Sequence, residues 1–270
     1  LEPQFAAAGY KVLTNASPFR MDPYVPLLIP EVNPEHAQLI PHQQEAYGWA
    51  GWIVANANCS TTSIVLPMNI LHKAYGLDTA VVVTMQAISG AGYPGVPSMA
   101  IMDNIIPHIG GEDAKLESEP RKLCGTYRQG QIELADFAVS AQANRVPVID
   151  GHLGSVSVKL KQAATAEQVI DLFQNWQPPA WYRDLPSAPE RVFIYRPEAD
   201  RPQPRLDRNT GNGLAWTIGG VRPCAVNDVR FLSITHNTLR GAASGSVLNA
   251  ELLVQQGYIQ HTAVETLATA

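Results

Sequence analysis

The stretch from Gly51 to Gln86 constrains this chain most. A short apolar run, Gly51-Trp-Ile-Val-Ala, leads into Asn56-Ala57-Asn58-Cys59-Ser60. A helix-like segment follows at 60–75, with apolar positions at Ile64, Val65, Met68, Leu71 and Tyr75, and then a β run at 79–86. Strand, loop, helix and strand in that order require an α/β arrangement. The loop delivers Cys59 to the first turn of the helix, where free N–H groups and the positive dipole end favour a thiolate, the nucleophilic form of cysteine. A lone cysteine is by default a small buried hydrophobe, so its company along the chain decides how it is read. Pro67 falls inside the helix and is expected to kink or break it.

Composition narrows the function classes. The 270 residues suffice for one large or two modest domains with a real core. A charged fraction of 16% and a hydrophobic fraction of 46% fit a globular chain. The net charge of -5, without a basic run, argues against a nucleic-acid partner but allows small anionic ligands. Cys59, Cys124 and Cys224 form no CxxC pair, so neither a disulfide framework nor a zinc site is expected, and a reducing, cytoplasmic setting is. No apolar stretch approaches the ~20 residues of a membrane span.

The remaining elements follow from period and punctuation. Residues 10–15 and 25–29 read as short buried strands, and 34–44 as a helix with Pro34 near its start. Five Gly and Pro residues in 89–98 make that segment a loop. Residues 137–149 and 153–161 alternate as two strands with Asp150-Gly151 at the turn between them. A helix is expected at 164–175 with Thr165 as its cap. An irregular Pro-, Arg- and Asp-rich stretch spans 177–211. Strands at 213–221 and 228–235 and a helix at about 243–257 complete the chain.

Five motifs occur in order: Asn56-Ala57-Asn58-Cys59-Ser60-Thr61-Thr62, Met85-Gln86-Ala87-Ile88-Ser89-Gly90-Ala91-Gly92, Asp103-Asn104-Ile105-Ile106-Pro107, Asn144-Arg145-Val146-Pro147-Val148-Ile149-Asp150-Gly151-His152, and His236-Asn237-Thr238-Leu239-Arg240-Gly241-Ala242. Together they resemble the aspartate-semialdehyde dehydrogenase family, in its archaeal and fungal branch. The resemblance runs from Asn15-Ala-Ser-Pro-Phe-Arg-Met-Asp to Leu248-Asn-Ala-Glu-Leu.

The resemblance implies an α+β fold with a glyceraldehyde-3-phosphate-dehydrogenase-like catalytic domain built on a mixed sheet, plus a partial Rossmann-like α/β domain. It implies NADPH-dependent reduction of aspartyl 4-phosphate to the semialdehyde through a thioester on Cys59. His152 matches the general acid/base and Arg145, seven residues before it, the clamp on the substrate carboxylate. Gln86, 27 positions after Cys59, would orient the acyl group. Glu112 and Lys115 match a Glu-x-x-Lys pair that meets substrate ammonium and phosphate, and Arg20 matches the phosphate-site arginine. Ser89, Gly90 and Gly92 match a loop that approaches NADP, and Asn237 a contact to its nicotinamide. A homodimer or homotetramer, with no membrane or metal, completes the picture.

The resemblance has gaps. No Gly-rich phosphate loop precedes Cys59, although the family opens with one, and the chain reads as lacking that half of the nucleotide-binding domain. Leu153-Gly154 stands where the family has Thr-Glu, and Ala100 where an acidic residue is usual. Domains are expected at 1–57 (partial nucleotide-binding), 58–233 (catalytic and dimerising) and 234–270 (a segment returning to the first). Two alternatives accompany the dehydrogenase reading. One is a shortened paralogue using Cys59 and His152 for cofactor-independent thioester or lactone opening, acyl transfer or isomerisation. The other is a non-catalytic partner subunit.

Overall fold

A computed structural model describes residues 1–260 of the chain, so the last ten residues of the expected 234–270 segment lie outside it. Helix α1 (Glu2–Ala7) leads into β1 (Lys11–Thr14), followed by β2 (Leu27–Leu28), a 3-10 turn at Pro34–Gln38, α2 (Leu39–Tyr47) and β3 (Trp52–Asn56). The three strands form a parallel sheet in the order β1-β3-β2. Central β3 is buried at all five positions, which is why it reads as a continuous apolar run and not as an alternation.

Helix α3 (Cys59–Tyr75) follows at once and leads into β4 (Leu77–Gln86). The chain then passes a 3-10 turn at Ile88–Ala91 and α4 (Ser98–Ile101) before α5 (Glu112–Leu123). Next come the paired β5 (Thr126–Arg128) and β6 (Gln131–Glu133), then β7 (Ala138–Arg145), β8 (His152–Leu160) and α6 (Ala166–Asn175). The last part holds β9 (Phe193–Arg196), α7 (Pro204–Asp207), β10 (Trp216–Pro223), β11 (Val229–Thr235), a π-turn at Leu239–Ala243 and α8 (Ser244–Gln255). Thr165 caps α6 in a reciprocal box with Gln168. The second sheet is mixed, in the order β7-β4-β8-β11-β10-β9, the architecture the resemblance implies. Helices α3, α5 and α6 pack on one face of it. Val81 and Val83, on the other face, are exposed.

Three expectations need correction. Pro67 does not break α3, which is continuous from Cys59 to Tyr75. Proline lacks the N–H that would bond the carbonyl four residues back, but the tertiary structure supplies a replacement: the Ser233 hydroxyl on β11 donates to the Ser63 carbonyl. One residue earlier, the indole Nε1–H of Trp216 donates to the Thr62 carbonyl at 2.6 Å. The two alternating segments around Asp150-Gly151 are strands, but they do not pair with each other. β4 lies between them, parallel to β7 and antiparallel to β8. Periodicity reports which face a residue takes and says nothing of its neighbour. The Pro-rich stretch 177–211 hides β9, a four-residue edge strand parallel to β10. Edge strands are often this short, and its flanking prolines and charges masked it.

The departure at Gly154 has a packing explanation. A Cβ there would lie 2.4 Å from Ile64 Cγ2, so glycine lets α3 settle onto β8. Leu153 faces the opposite side of the sheet, where it pairs with Ile234 of β11. Ala100 is exposed on α4.

His36 is fully buried. Its Nδ1 accepts from Asn33 Nδ2 at 2.7 Å, so Nε2 carries the proton and donates to the Gly125 carbonyl at 3.1 Å. Burial pushes its pKa down to about 4.

Two outcomes are expected. Replacing Ser233 with Ala leaves the Ser63 carbonyl unpartnered beside Pro67 and should lower unfolding free energy by about 1–3 kcal/mol in denaturant titration; an unchanged midpoint would contradict the account of the intact helix. The folded pKa of His36 lies below its unfolded value, so its contribution is present above pH ~6.5 and declines toward pH 4. The stability advantage of the parent over His36→Gln should therefore shrink across that window, by at most about 1.4 kcal/mol per pH unit. A flat difference would show that the imidazole is not buried neutral.

Candidate active site

The site forms where β3, α3, β4, β8 and the π-turn converge. Cys59 is the first residue of α3 and half-buried, with Asn58 as N-cap. The Asn58 side-chain oxygen accepts from the Ser60 and Thr61 N–H groups at 2.9 and 3.2 Å, the capping geometry such a residue favours. Two carboxylates of α5 hold Asn58 in turn. Glu112 accepts from the Asn58 side-chain amide with both oxygens at 3.1 Å, and Glu119 accepts from its backbone N–H at 2.7 Å. Behind Cys59 stands Gly241 of the π-turn, where a Cβ would come within 2.7 Å of Cys59 Cβ. Only glycine allows that approach without displacement.

The connection between β7 and β8 crosses the end of β4 and is stitched to it. The Val146 N–H donates to the Gln86 carbonyl at 3.0 Å, and the Ile88 and Ser89 N–H groups donate to the Val148 and Ile149 carbonyls at 2.8 and 3.2 Å. This crossover carries Arg145 in and His152 out. Arg145 is buried, and its Nη1 donates to the Ala87 carbonyl at 2.7 Å. His152 is fully buried, its Nδ1 accepts from the Ala87 N–H at 3.1 Å, and its Nε2 has no partner among the described residues. Both side chains abut Gly90, where a Cβ would lie 2.8 Å from His152 Nε2 and 3.0 Å from Arg145 Nη1.

The other expected residues divide into two groups. Gln86 is buried and donates to Glu112 at 3.2 Å. Glu112 also pairs with Lys115 at 2.8 Å, leaving the lysine partly exposed. Arg20 is buried beneath the site, pairing with Glu119 at 3.1 Å and donating to the Asn15 carbonyl at 2.6 Å. Asn237 is engaged at both ends of its amide, accepting from the Gly151 N–H at 2.8 Å and donating to Ser89 Oγ at 2.9 Å. It thus holds the Ser89–Gly92 loop in shape. Gly92, at φ +67, faces open space. Cys59, His152, Arg145, Gln86, Glu112 and Lys115 are therefore gathered together. Arg20 lies one layer deeper, and Asn237 links the glycine loop to the start of β8.

The electrostatics correct one expectation. Cys59 does not rest as a thiolate: burial, and then the Glu112 carboxylate, push its thiol up to about 11 against the opposing pull of Arg20 and Ser60. The helix N-terminus cannot compensate fully, because Asn58 already occupies two of its N–H groups. Burial and then Arg145 press the imidazole of His152 down to about 3, so it rests neutral. With Nδ1 accepting from Ala87, the ring proton belongs on Nε2. Burial lowers the Arg145 pKa while Cys59 and Glu112 raise it; an arginine remains charged regardless.

Sequence reasoning assigned no role to Asn58, Glu119 or Gly241. Asn58 carried an available signal, as a capping residue directly before a helix. So did Glu119, seven residues and two helical turns after Glu112 on the same face. Gly241 carried none, since its need arises only where the π-turn meets Cys59.

Residues 68–240 match the model of the semialdehyde dehydrogenase dimerisation domain, and residues 1–40 that of the semialdehyde dehydrogenase NAD binding domain. An aspartate-semialdehyde dehydrogenase of Archaeoglobus fulgidus is 50% identical over 259 residues, covering 96% of this chain and 74% of the relative. Its counterpart in Cryptococcus neoformans is 46% identical, with 96% and 74% covered. The crystal structure of the Candida albicans enzyme with NADP superposes with a TM-score of 0.86 at 36% identity, over 96% of this chain and 75% of that one. The chain thus spans about three quarters of the length of these relatives. The chain belongs to the aspartate-semialdehyde dehydrogenase family.

Proposed function

We propose that this chain catalyses the NADPH-dependent reductive dephosphorylation of aspartyl 4-phosphate to aspartate semialdehyde. One arrangement supports the reading: a cysteine on the first turn of α3 lies within electrostatic reach of the buried Arg145 guanidinium, which abuts Gly90 together with the neutral buried imidazole of His152. The family relationship makes that arrangement a dehydrogenase site in preference to one for cofactor-independent acyl chemistry.

The first half-reaction forms the Cys59 S–C bond and breaks the bond from carbon to the phosphate oxygen. The thiol proton leaves with the departing phosphate, so the step balances without a free base. His152 holds its proton on Nε2 and donates a hydrogen bond from there to the acyl oxygen as charge develops on it, the role of an oxyanion donor. For the imidazole to accept the thiol proton at Nε2, its own proton would have to sit on Nδ1, which the Ala87 N–H opposes. Arg145 clamps the substrate carboxylate. Lys115 meets the phosphate, Gln86 orients the acyl group, and Glu112 offers its carboxylate to the substrate ammonium. Arg20, paired with Glu119, supports the phosphate side from below.

Bound NADPH would supply the hydride that reduces the thioester; the S–C bond to Cys59 then breaks as the aldehyde forms and leaves, and the thiolate takes a proton from solvent. The residues present fit such a cofactor at its nicotinamide end. The carboxyl ends of a parallel sheet lie beside Cys59 at Thr14, Leu28 and Asn56, the place where such sheets bind nucleotides. Ser89, Gly90 and Gly92 would let the ring approach closely, with Asn237 holding their loop.

We divide the chain at 57 and 233, with α8 returning to pack on β1 and β3. The exposed outer face of the six-stranded sheet would receive a second copy, giving a homodimer or homotetramer. A cytoplasmic setting would keep the three cysteines as the free thiols seen here. No described helix is long and apolar enough to cross a membrane.

The deciding assay follows phosphate- and NADP-dependent oxidation of aspartate semialdehyde by the full gene product. Cys59→Ala should abolish turnover. Arg145→Lys should raise KM for the semialdehyde at least about tenfold, because an ammonium cannot grip a carboxylate bidentately. Turnover in Cys59→Ala would remove the thioester mechanism. Iodoacetamide labelling gives a separate check: in unliganded protein its rate at Cys59 should still be rising at pH 10, as the thiol's pKa of about 11 requires. A plateau by pH 8 would show a thiolate already formed.

A further inference from the structure

We propose that Glu119 is a positioning residue for the nucleophile, holding the N-cap of the Cys59 helix in place through the backbone of Asn58. The proposal rests on Cys59 being the reacting group in the function given above.

Glu119 is almost wholly buried, with 1% of its surface exposed, a placement carboxylates avoid unless paired. It divides its two oxygens. Oε1 takes Arg20 Nη1 at 3.1 Å and Oε2 takes the Asn58 N–H at 2.7 Å. The second bond satisfies a donor that the helix cannot, because the N–H of an N-cap residue points out of the helical ladder. Glu112, two turns earlier on α5, grips the Asn58 side chain at the same time. Asn58 is thus held by backbone and side chain from one rigid helix, and Cys59 is the next residue.

The loop before β2 is pinned to the same helix. Lys122 Nζ donates to the carbonyls of Arg20, Asp22 and Val25 at 2.8, 2.7 and 2.7 Å. Arg20 reaches from this loop to Glu119 and to the Asn15 carbonyl. Through Arg20, Glu119 and Asn58, the nucleotide-side loop and the nucleophile are referred to a common support. Burial raises the pKa of Glu119 against the opposing pull of Arg20 and the Asn58 N–H, and the geometry has one oxygen accepting from each of these two partners. Removing that carboxylate frees the Asn58 backbone to move, and displacement of a nucleophile by about 1 Å costs about 100-fold in rate.

The test compares Glu119→Gln and Glu119→Ala with the parent in the full gene product. Two quantities are read per folded molecule: kcat and KM for the semialdehyde, and the rate constant for iodoacetamide labelling of Cys59. The amide retains an acceptor for one bond and the alanine retains none, so kcat should fall about tenfold in the first and about 100-fold in the second, with KM changed less than about threefold. The labelling rate should change in the same order. A residue that merely stabilised the fold would lower the yield and Tm of folded protein and leave both quantities at parent values; that result overturns the proposal. If the alanine variant does not fold, the glutamine variant decides by the same criteria. An inactive parent would count against the proposed function and not against this role, because the labelling comparison needs no turnover.

Discussion

The junction between β3 and α3 organises the rest of the molecule. Two residues separate the end of a fully buried strand from the cysteine that opens a helix buried from Ser60 to Leu71. That leaves Asn58 to satisfy the helix N-terminus, and a buried polar cap must itself be satisfied. The two carboxylates of α5 do this, and their own burial demands cations. Lys115 partners Glu112, and Arg20 partners Glu119. The polar layer beneath Cys59 thus follows from one short connection.

That layer has a chemical consequence. Glu112 helps fix the helix that presents the thiol, and its charge also raises the thiol's pKa. The resting site is therefore quiet: a protonated sulfur, a neutral imidazole with its proton directed to Nε2, and a guanidinium partly spent on the Ala87 carbonyl. In the mechanism we propose, reactivity arises with the substrate, whose phosphate carries the thiol proton away and whose carboxylate occupies the arginine. The backbone of Ala87 orients both helpers, its N–H on His152 and its carbonyl on Arg145. A residue with almost no side chain thereby sets the geometry of two that have one.

Legibility varied with how local the cause was. The strand at 51–55, the helix at 60–75 and the capped helix after Thr165 were readable because period and cap chemistry act within a few residues. The partner of a strand was not. The segments flanking Asp150-Gly151 look like a hairpin, yet β4 sits between them, because pairing β4 along both of its edges outweighs a local turn preference. Pro67 misled for a similar reason, since its cost is met by Ser233, which bonds the Ser63 carbonyl across 170 residues.

The sequence alone determined the family and the strand, loop, helix and strand around Cys59, and it singled out Cys59, His152, Arg145 and Gln86 as the proposed chemical set, because side-chain chemistry and spacing are carried by the residues themselves. Tertiary structure alone decided that Arg20 lies beneath the site bound to Glu119, that Asn237 braces a loop, that Gly241 leaves room for Cys59, and that the thiol rests protonated. Each of these depends on burial and on which partners meet in space, and both are properties of the packed chain and not of any segment of it.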